Sequence, residues 1–252
     1  MTALYVAWHT QTPPPVWGPV GRLDFQGGLF RFCYTRGAKT LQGFKPFSGM
    51  PDLNQVYHST TLFPLFANRL LPESRPEYRD YLTWSGFSPE ETPEPLVVLG
   101  RTEGMKQTDA VEVFPCPAPT LTGQYVNYFF AHGVRYHLPN AQEVLEQLAV
   151  GDKLSLRPQP QNPKDKNAIA IFSHDTPLGY IPRYLATDAG HLLRECDARD
   201  VKLFVERVNP AAPMQQRLLC RLDACWPADF NPCSGPEFEP LSEQAAESFF
   251  SS

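Results

Sequence analysis

Apolar and polar positions along most of this chain change over in runs too short for long helices. Residues 4–8 read as a strand, followed by the break at Pro13-Pro14-Pro15. A second run, 19–25, ends at Gly27-Gly28, and Leu29–Tyr34 then places Phe30, Phe32 and Tyr34 at a period of two. A Gly-Gly pair between two such runs predicts a hairpin. From 60 to 71 the spacing of Leu62, Phe63, Leu65, Phe66, Leu70 and Leu71 shifts to threes and fours. That predicts an amphipathic helix with Pro64 in its first turn, stopping before Pro72. Tyr78–Trp84 predicts a second short helix, and 96–100 and 110–114 read as strands.

The second half repeats this texture with different punctuation. Gln124–Phe130, 153–157, 168–172, 178–181, Lys202–Val208 and 217–226 read as strands. Two helices interrupt them. One covers 141–148, with Asn140 as N-cap and Glu143 completing a capping-box pattern, and the other covers 183–196. Short strands with two small helices predict a compact β-barrel-like α+β module.

Composition sharpens this picture. Proline accounts for 27 of 252 residues, about twice its usual share of about 5%, which favours strands, turns and extended connections. The proline-rich stretches 88–96 and 115–119 mark boundaries. The reading is α+β with two small domains: a β-rich first domain with one or two helices over 1–95, a linker with possible strands over 96–122, a barrel-like domain over 123–228, and an acidic flexible tail over 229–252.

Charge is uneven. Residues 1–120 carry 10 Lys+Arg against 11 Asp+Glu, residues 121–228 carry 12 against 11, and residues 229–252 carry none against 5. Both bodies are near neutral, which counts against a nucleic-acid binder working through bulk charge. The first residues lack a basic region followed by an apolar one, and no apolar run approaches the roughly 20 residues of a membrane span. A cytoplasmic protein without membrane association is expected. The six cysteines include no Cys-x-x-Cys pair, so reduced, mostly buried thiols are expected rather than a metal site. His132 with His137, and His174 with Asp175, are the nearest approach to acid–base groups. No nucleophile or metal motif accompanies them. The expectation is no catalytic residue, no cofactor and no metal.

Three stretches of the second half carry a family resemblance: Gly133-Val134-Arg135-Tyr136, then Asn162-Pro163-Lys164-Asp165-Lys166-Asn167-Ala168-Ile169, then Leu178-Gly179-Tyr180-Ile181-Pro182. Residues 123–228 resemble the HIRAN domain, found on eukaryotic fork-remodelling helicases and as small bacterial proteins. The resemblance implies a small β-barrel related to OB and SH3 shapes that binds single-stranded DNA and recognises its 3′-hydroxyl end. It points to Asp165 as acceptor for the hydroxyl. Tyr136 would stack the end base, and Arg135, Lys164, Lys166 and Arg183 would meet phosphates. Asn167 and Tyr180 complete the implied site. The same residues admit a plainer reading, because Asn-Pro-Lys-Asp is an ordinary turn in which Asp165 and Asn167 cap backbone groups. The sequence departs from the family at Lys164, where DNA-end binders often carry an aromatic.

The first half is similar to the N-terminal subdomain of HipA-like toxin kinases, through Leu4-Tyr5-Val6, Gly18-Pro19-Val20-Gly21-Arg22-Leu23 and the stretch from Phe63 to Pro72. Nothing like the kinase body follows, with no phosphate-cradling loop and no catalytic-loop Asp. That resemblance implies a docking subdomain whose partner is a HipA-like kinase or another protein. Two functions are therefore expected in turn: a non-enzymatic binder of single-stranded DNA or its 3′ end, or a protein-interaction, antitoxin-like regulator without DNA affinity.

Overall fold

The computed structural model describes residues 3–10, 16–106, 110–137 and 140–242. The Pro13-Pro14-Pro15 break lies outside them. In chain order the elements are β1 (Leu4–His9), β2 (Trp17–Gln26), β3 (Leu29–Tyr34), α1 (Gly37–Thr40), β4 (Tyr57–Ser59), α2 (Pro64–Ala67), α3 (Tyr78–Trp84), α4 (Pro95–Thr102) and β5 (Val111–Pro115). Then follow β6 (Gln124–Phe130), α5 (Asn140–Gln147), β7 (Lys153–Pro158), β8 (Ile169–Ser173), β9 (Thr176–Tyr180), α6 (Arg183–Glu195), β10 (Lys202–Val208) and β11 (Leu218–Cys225). The fold is mixed, with two sheets and few helices.

The chain sorts into two compact units whose borders differ from the linear division expected from sequence. One unit joins Met1–Arg75, Thr92–Cys116 and Asn231–Ser252, and the other joins Pro76–Glu91 and Pro117–Phe230. The expected linker is thus shared out. The described end of the chain is packed rather than tail-like: Arg36 N–H donates to the Glu239 carbonyl at 2.8 Å, and Leu241 N–H donates to the Tyr34 carbonyl at 3.0 Å.

The first unit is an antiparallel sheet ordered β4-β3-β2-β1-β5. The Gly27-Gly28 hairpin forms as expected, with Gln26 opposite Leu29. Apolar faces of β1, β2 and β3 bury Leu4, Val6, Leu23 and Phe32, and Phe66, Leu96 and Leu99 cover them. Opposite one another on β2 and β3, Asp24 and Arg31 form a buried two-pronged ion pair at 2.8 and 2.9 Å. Two expectations fail in this unit. The stretch 96–100 is helical, because Pro95 at the first position presets the backbone and Leu96 and Leu99 point together into the core. The long helix over 60–71 contracts to the single turn α2.

The second unit is a sheet ordered β6-β11-β10-β7-β8-β9. Strand β7 turns its corner: Lys153 and Leu154 pair with β10, while Ser155 to Pro158 pair with β8. The expected barrel is not closed. Among the described residues, a single isolated bridge joins His132, just past β6, to Tyr180 of β9. Helices α5 and α6 cover the core, α6 burying Leu185, Ala186, Ala189 and Leu192 at helical spacing. Helix α3 joins this unit, its Trp84 carbonyl accepting from Asn209 Nδ2 at 2.9 Å.

The cysteine expectation is also corrected. Cys196 and Cys225 form a disulfide between the end of α6 and the end of β11, which the chain places 29 residues apart. Cys33 and Cys220 are buried thiols outside this disulfide, and burial pushes the Cys33 thiol up to about 12.

Candidate nucleic-acid interface

Two glycines build the site. Gly179, at φ 154°, lies so close to the next segment that an added Cβ would stand 2.6 Å from the His132 carbonyl oxygen. That approach lets His132 and Tyr180 exchange backbone hydrogen bonds at 2.9 and 2.8 Å. Gly133, at φ 72°, then starts the short 3-10 turn Val134–His137 that carries Arg135 and Tyr136. Below this turn the His137 ring lies 5.6 Å from that of Tyr180. Burial lowers the His137 pKa, favouring a neutral ring.

The Asn162–Asn167 loop supplies the second part. Asn162 Oδ1 accepts from Lys164 N–H at 3.0 Å and Asp165 N–H at 3.4 Å, and Asp165 Oδ1 accepts from Asn167 N–H at 2.9 Å. These are the nested side-chain turns that the residue types favour. Arg183, the first residue of α6, donates from Nε to Asp165 Oδ2 at 3.0 Å and from a second nitrogen to the Lys164 carbonyl at 3.2 Å. The plainer turn reading therefore holds for the backbone, and it leaves the carboxylate oriented by a cation.

The two parts converge on Tyr136, an exposed aromatic at 61%. The Arg135 guanidinium donates to its hydroxyl at 2.7 Å and lies 4.8 Å from its ring centre. The same hydrogen bond draws the phenol pKa below its ordinary value. The Lys164 ammonium also stands 4.8 Å from that ring centre, a cation–π distance.

Of the residues singled out from sequence, the structure gathers Arg135, Tyr136, Lys164, Asp165 and Arg183 into one contact chain. Tyr180 joins through Gln159, whose Oε1 accepts from the Tyr180 hydroxyl at 3.3 Å. Lys166 and Asn167 turn their side chains elsewhere and line a groove beside α6. Sequence reasoning missed Gln159, which sits between two prolines with nothing in its residue type to mark it. His174 and Asp175 were expected to carry no catalytic role. They form the β8–β9 turn, where Asp175 meets Arg157 at 3.3 Å.

Among the described residues no group of three or more His, Cys, Asp or Glu side chains is placed to hold a metal ion. Nor, among the described residues, is any helix long and apolar enough to cross a membrane.

Residues 124–224 match the family model of the HIRAN domain. The match covers the segment in which all three motifs lie. Two solved structures are similar to the chain. One is a protein from Lactobacillus plantarum, at 24% identity and a TM-score of 0.32, covering 40% of this chain and 96% of that one. The other is the HIRAN domain of human HLTF, at 16% identity and a TM-score of 0.31, covering 42% of this chain and 84% of that one. A search of curated proteins finds no match. The HIRAN segment thus contains the whole contact chain around Tyr136 and Asp165, whereas the likeness of the first half to HipA kinases rests on its sequence pieces alone.

Proposed function

We propose that the HIRAN segment binds single-stranded DNA at its 3′ end, as a binding module rather than an enzyme. The observation that carries this reading is one contact chain: Arg135 and Lys164 on the exposed Tyr136 ring, and Arg183 on both the Lys164 carbonyl and the Asp165 carboxylate. Asp165 is held by the Asn167 N–H and by Arg183, with lone pairs left to accept a terminal hydroxyl. Beside phosphates a carboxylate costs affinity, so its value is selectivity: a 3′-phosphate would bring negative charge onto Asp165, while a hydroxyl donates to it. Tyr136 offers a face to the terminal base, worth about 1–3 kcal/mol. Arg135 and Lys164, both on the Tyr136 ring, and Arg183, on the Lys164 carbonyl, are the cations that would meet phosphates.

This reading also answers the near-neutral charge of the unit. Affinity from three phosphate contacts on a single strand gives a salt slope of about −2, modest beside that of a strongly basic protein. The test is equilibrium binding of a short 3′-hydroxyl strand at several salt concentrations. A slope near −2, reduced by about 0.7 in Arg135→Ala, supports the reading. Salt-independent binding contradicts it.

A second reading belongs to the first unit, a docking module for a HipA-type kinase or a similar protein, with the HIRAN segment retaining its shape without DNA affinity. Lys164 over the Tyr136 ring favours it, since the cation takes up stacking surface. Its test is co-purification with such a kinase. A stable one-to-one complex from a protein that binds no strand supports it, and no complex at micromolar concentrations contradicts it.

A further inference from the structure

The two loop residues that leave the Tyr136 cluster mark a second surface. Lys166 and Asn167 line an open groove of about 420 Å³ against the face of α6 bearing Ala186, Gly190, Leu193 and Arg194. Ala186 and Gly190 are four residues apart on one helix face, and their small size is what leaves the space. Ile169 also lines it, so the surface there is largely apolar. The two cations at its margins, Lys166 and Arg194, make no ion pair among the described residues.

The groove also has a direction. Helix α6 starts at Arg183, on the Asp165 carboxylate, and carries Arg194 in its last turn. From one arginine to the other is about 16 Å at the rise of an α-helix. Along its axis a stacked strand rises about 3.4 Å per nucleotide, so two or more nucleotides fit along this distance.

We infer that the groove along α6 holds the nucleotides preceding the 3′-terminal one, with bases on the apolar surface and phosphates at Lys166 and Arg194. The assignment rests on the end-binding reading of the same loop and extends it from one nucleotide to a short strand. Continuity carries it. Asp165 and Lys166 are adjacent in one tight loop, one facing the helix start and the other facing the groove. An apolar peptide would fill the same surface without needing cations at both ends.

The test compares strands of two and six nucleotides, each with a 3′-hydroxyl, against wild type, Gly190→Leu and Arg194→Ala. A Cβ at position 190 meets Arg194 Nη1 at 3.5 Å and Ile169 Cδ1 at 4.0 Å, both ordinary contacts. Leucine also favours the helix over glycine, so this variant fills the groove in a folded protein. Melting temperatures at or above wild type verify that it does.

We expect Gly190→Leu to weaken the six-nucleotide strand roughly tenfold or more, the worth of a lost base contact. It should weaken the two-nucleotide strand, which places a single base in the groove, by less, and leave the preference for hydroxyl over 3′-phosphate unchanged. Arg194→Ala should make the salt slope for the longer strand shallower by about 0.7. Wild-type affinity and slope in both variants, with the hydroxyl preference intact, overturn the groove assignment alone. Failure of wild type to bind any strand overturns it together with the end-binding reading.

Discussion

Lys164 shows how a single residue tunes this site. Its ammonium lies 4.8 Å from the Tyr136 ring centre, at a position where the HIRAN resemblance leads one to expect an aromatic. A cation gains most at low salt and a stacking ring loses little at high salt. Lys164→Phe should therefore bind a 3′-hydroxyl strand more weakly than wild type at low salt and more tightly at high salt, so that the two salt titrations cross. Parallel titrations would contradict this. Asp188 on α6 gives a second residue-scale expectation. Burial raises its pKa from 3.8 to about 7, so the folded protein keeps a proton that the unfolded chain has already released. That favours folding below about pH 4 and is lost as pH rises to about 7. Asp188→Asn should thus be more stable than wild type at pH 8, by roughly 1–3 kcal/mol, and no more stable at pH 3.5. Thermal unfolding at both pH values checks it. The types of the site residues were legible in sequence because each has one dominant chemistry. Gln159 was not, because only the fold brings it to Tyr180.

Strand β9 and the turn that follows β6 form the element on which the proposed recognition depends. Gly179→Ala forces a Cβ to within 2.6 Å of the His132 carbonyl, where the clash is with backbone that has no alternative rotamer. The expected loss is about 2–4 kcal/mol, read as a lower denaturant midpoint at unchanged m-value. Binding should weaken as well, since the same contact sets the start of the Arg135–Tyr136 turn. Period-two alternation made most strands of the second unit legible almost to the residue, Lys202–Val208 among them. It misread 96–100 because Val97 and Val98 carry strand propensity, while the deciding facts are Pro95 and the contact of Leu96 and Leu99 with the first sheet. It also overextended the helix at 60–71. The spacing of the leucines is helical, but after α2 only the i→i−3 bonds of Arg69 and Leu70 to the Phe66 and Ala67 carbonyls carry the turn on.

At the scale of the whole molecule, long-range closure is what the sequence left hidden. The last described residues return to the first sheet, with Pro240 bridging Thr35 and Leu241 hydrogen-bonded to Tyr34. Ending the chain after Phe230 should therefore reduce amide-exchange protection in β3 while leaving β10 and β11 as protected as before. Equal protection everywhere would mean that this return contributes nothing. Local composition had marked the segment as a tail, because its prolines and acids say nothing about which strand edge awaits them. The Cys196–Cys225 disulfide was hidden for the same reason, since only α6 and β11 together bring the two thiols close. Closing a loop of 29 residues is worth about 3–4 kcal/mol in the chain-entropy view, and reduction should lower the melting temperature accordingly.

The central claim is that Asp165 reads a terminal hydroxyl. The most direct measurement is the affinity of one short strand ending in 3′-hydroxyl and the same strand ending in 3′-phosphate, for wild type and Asp165→Asn. Asparagine keeps an oxygen for the Asn167 N–H and removes the charge. The account expects wild type to prefer the hydroxyl by about tenfold or more, the worth of one charge-assisted hydrogen bond, and the variant to lose that preference by binding the phosphate end better. Equal affinity for both ends in wild type, or a preference that survives in Asp165→Asn, would contradict it.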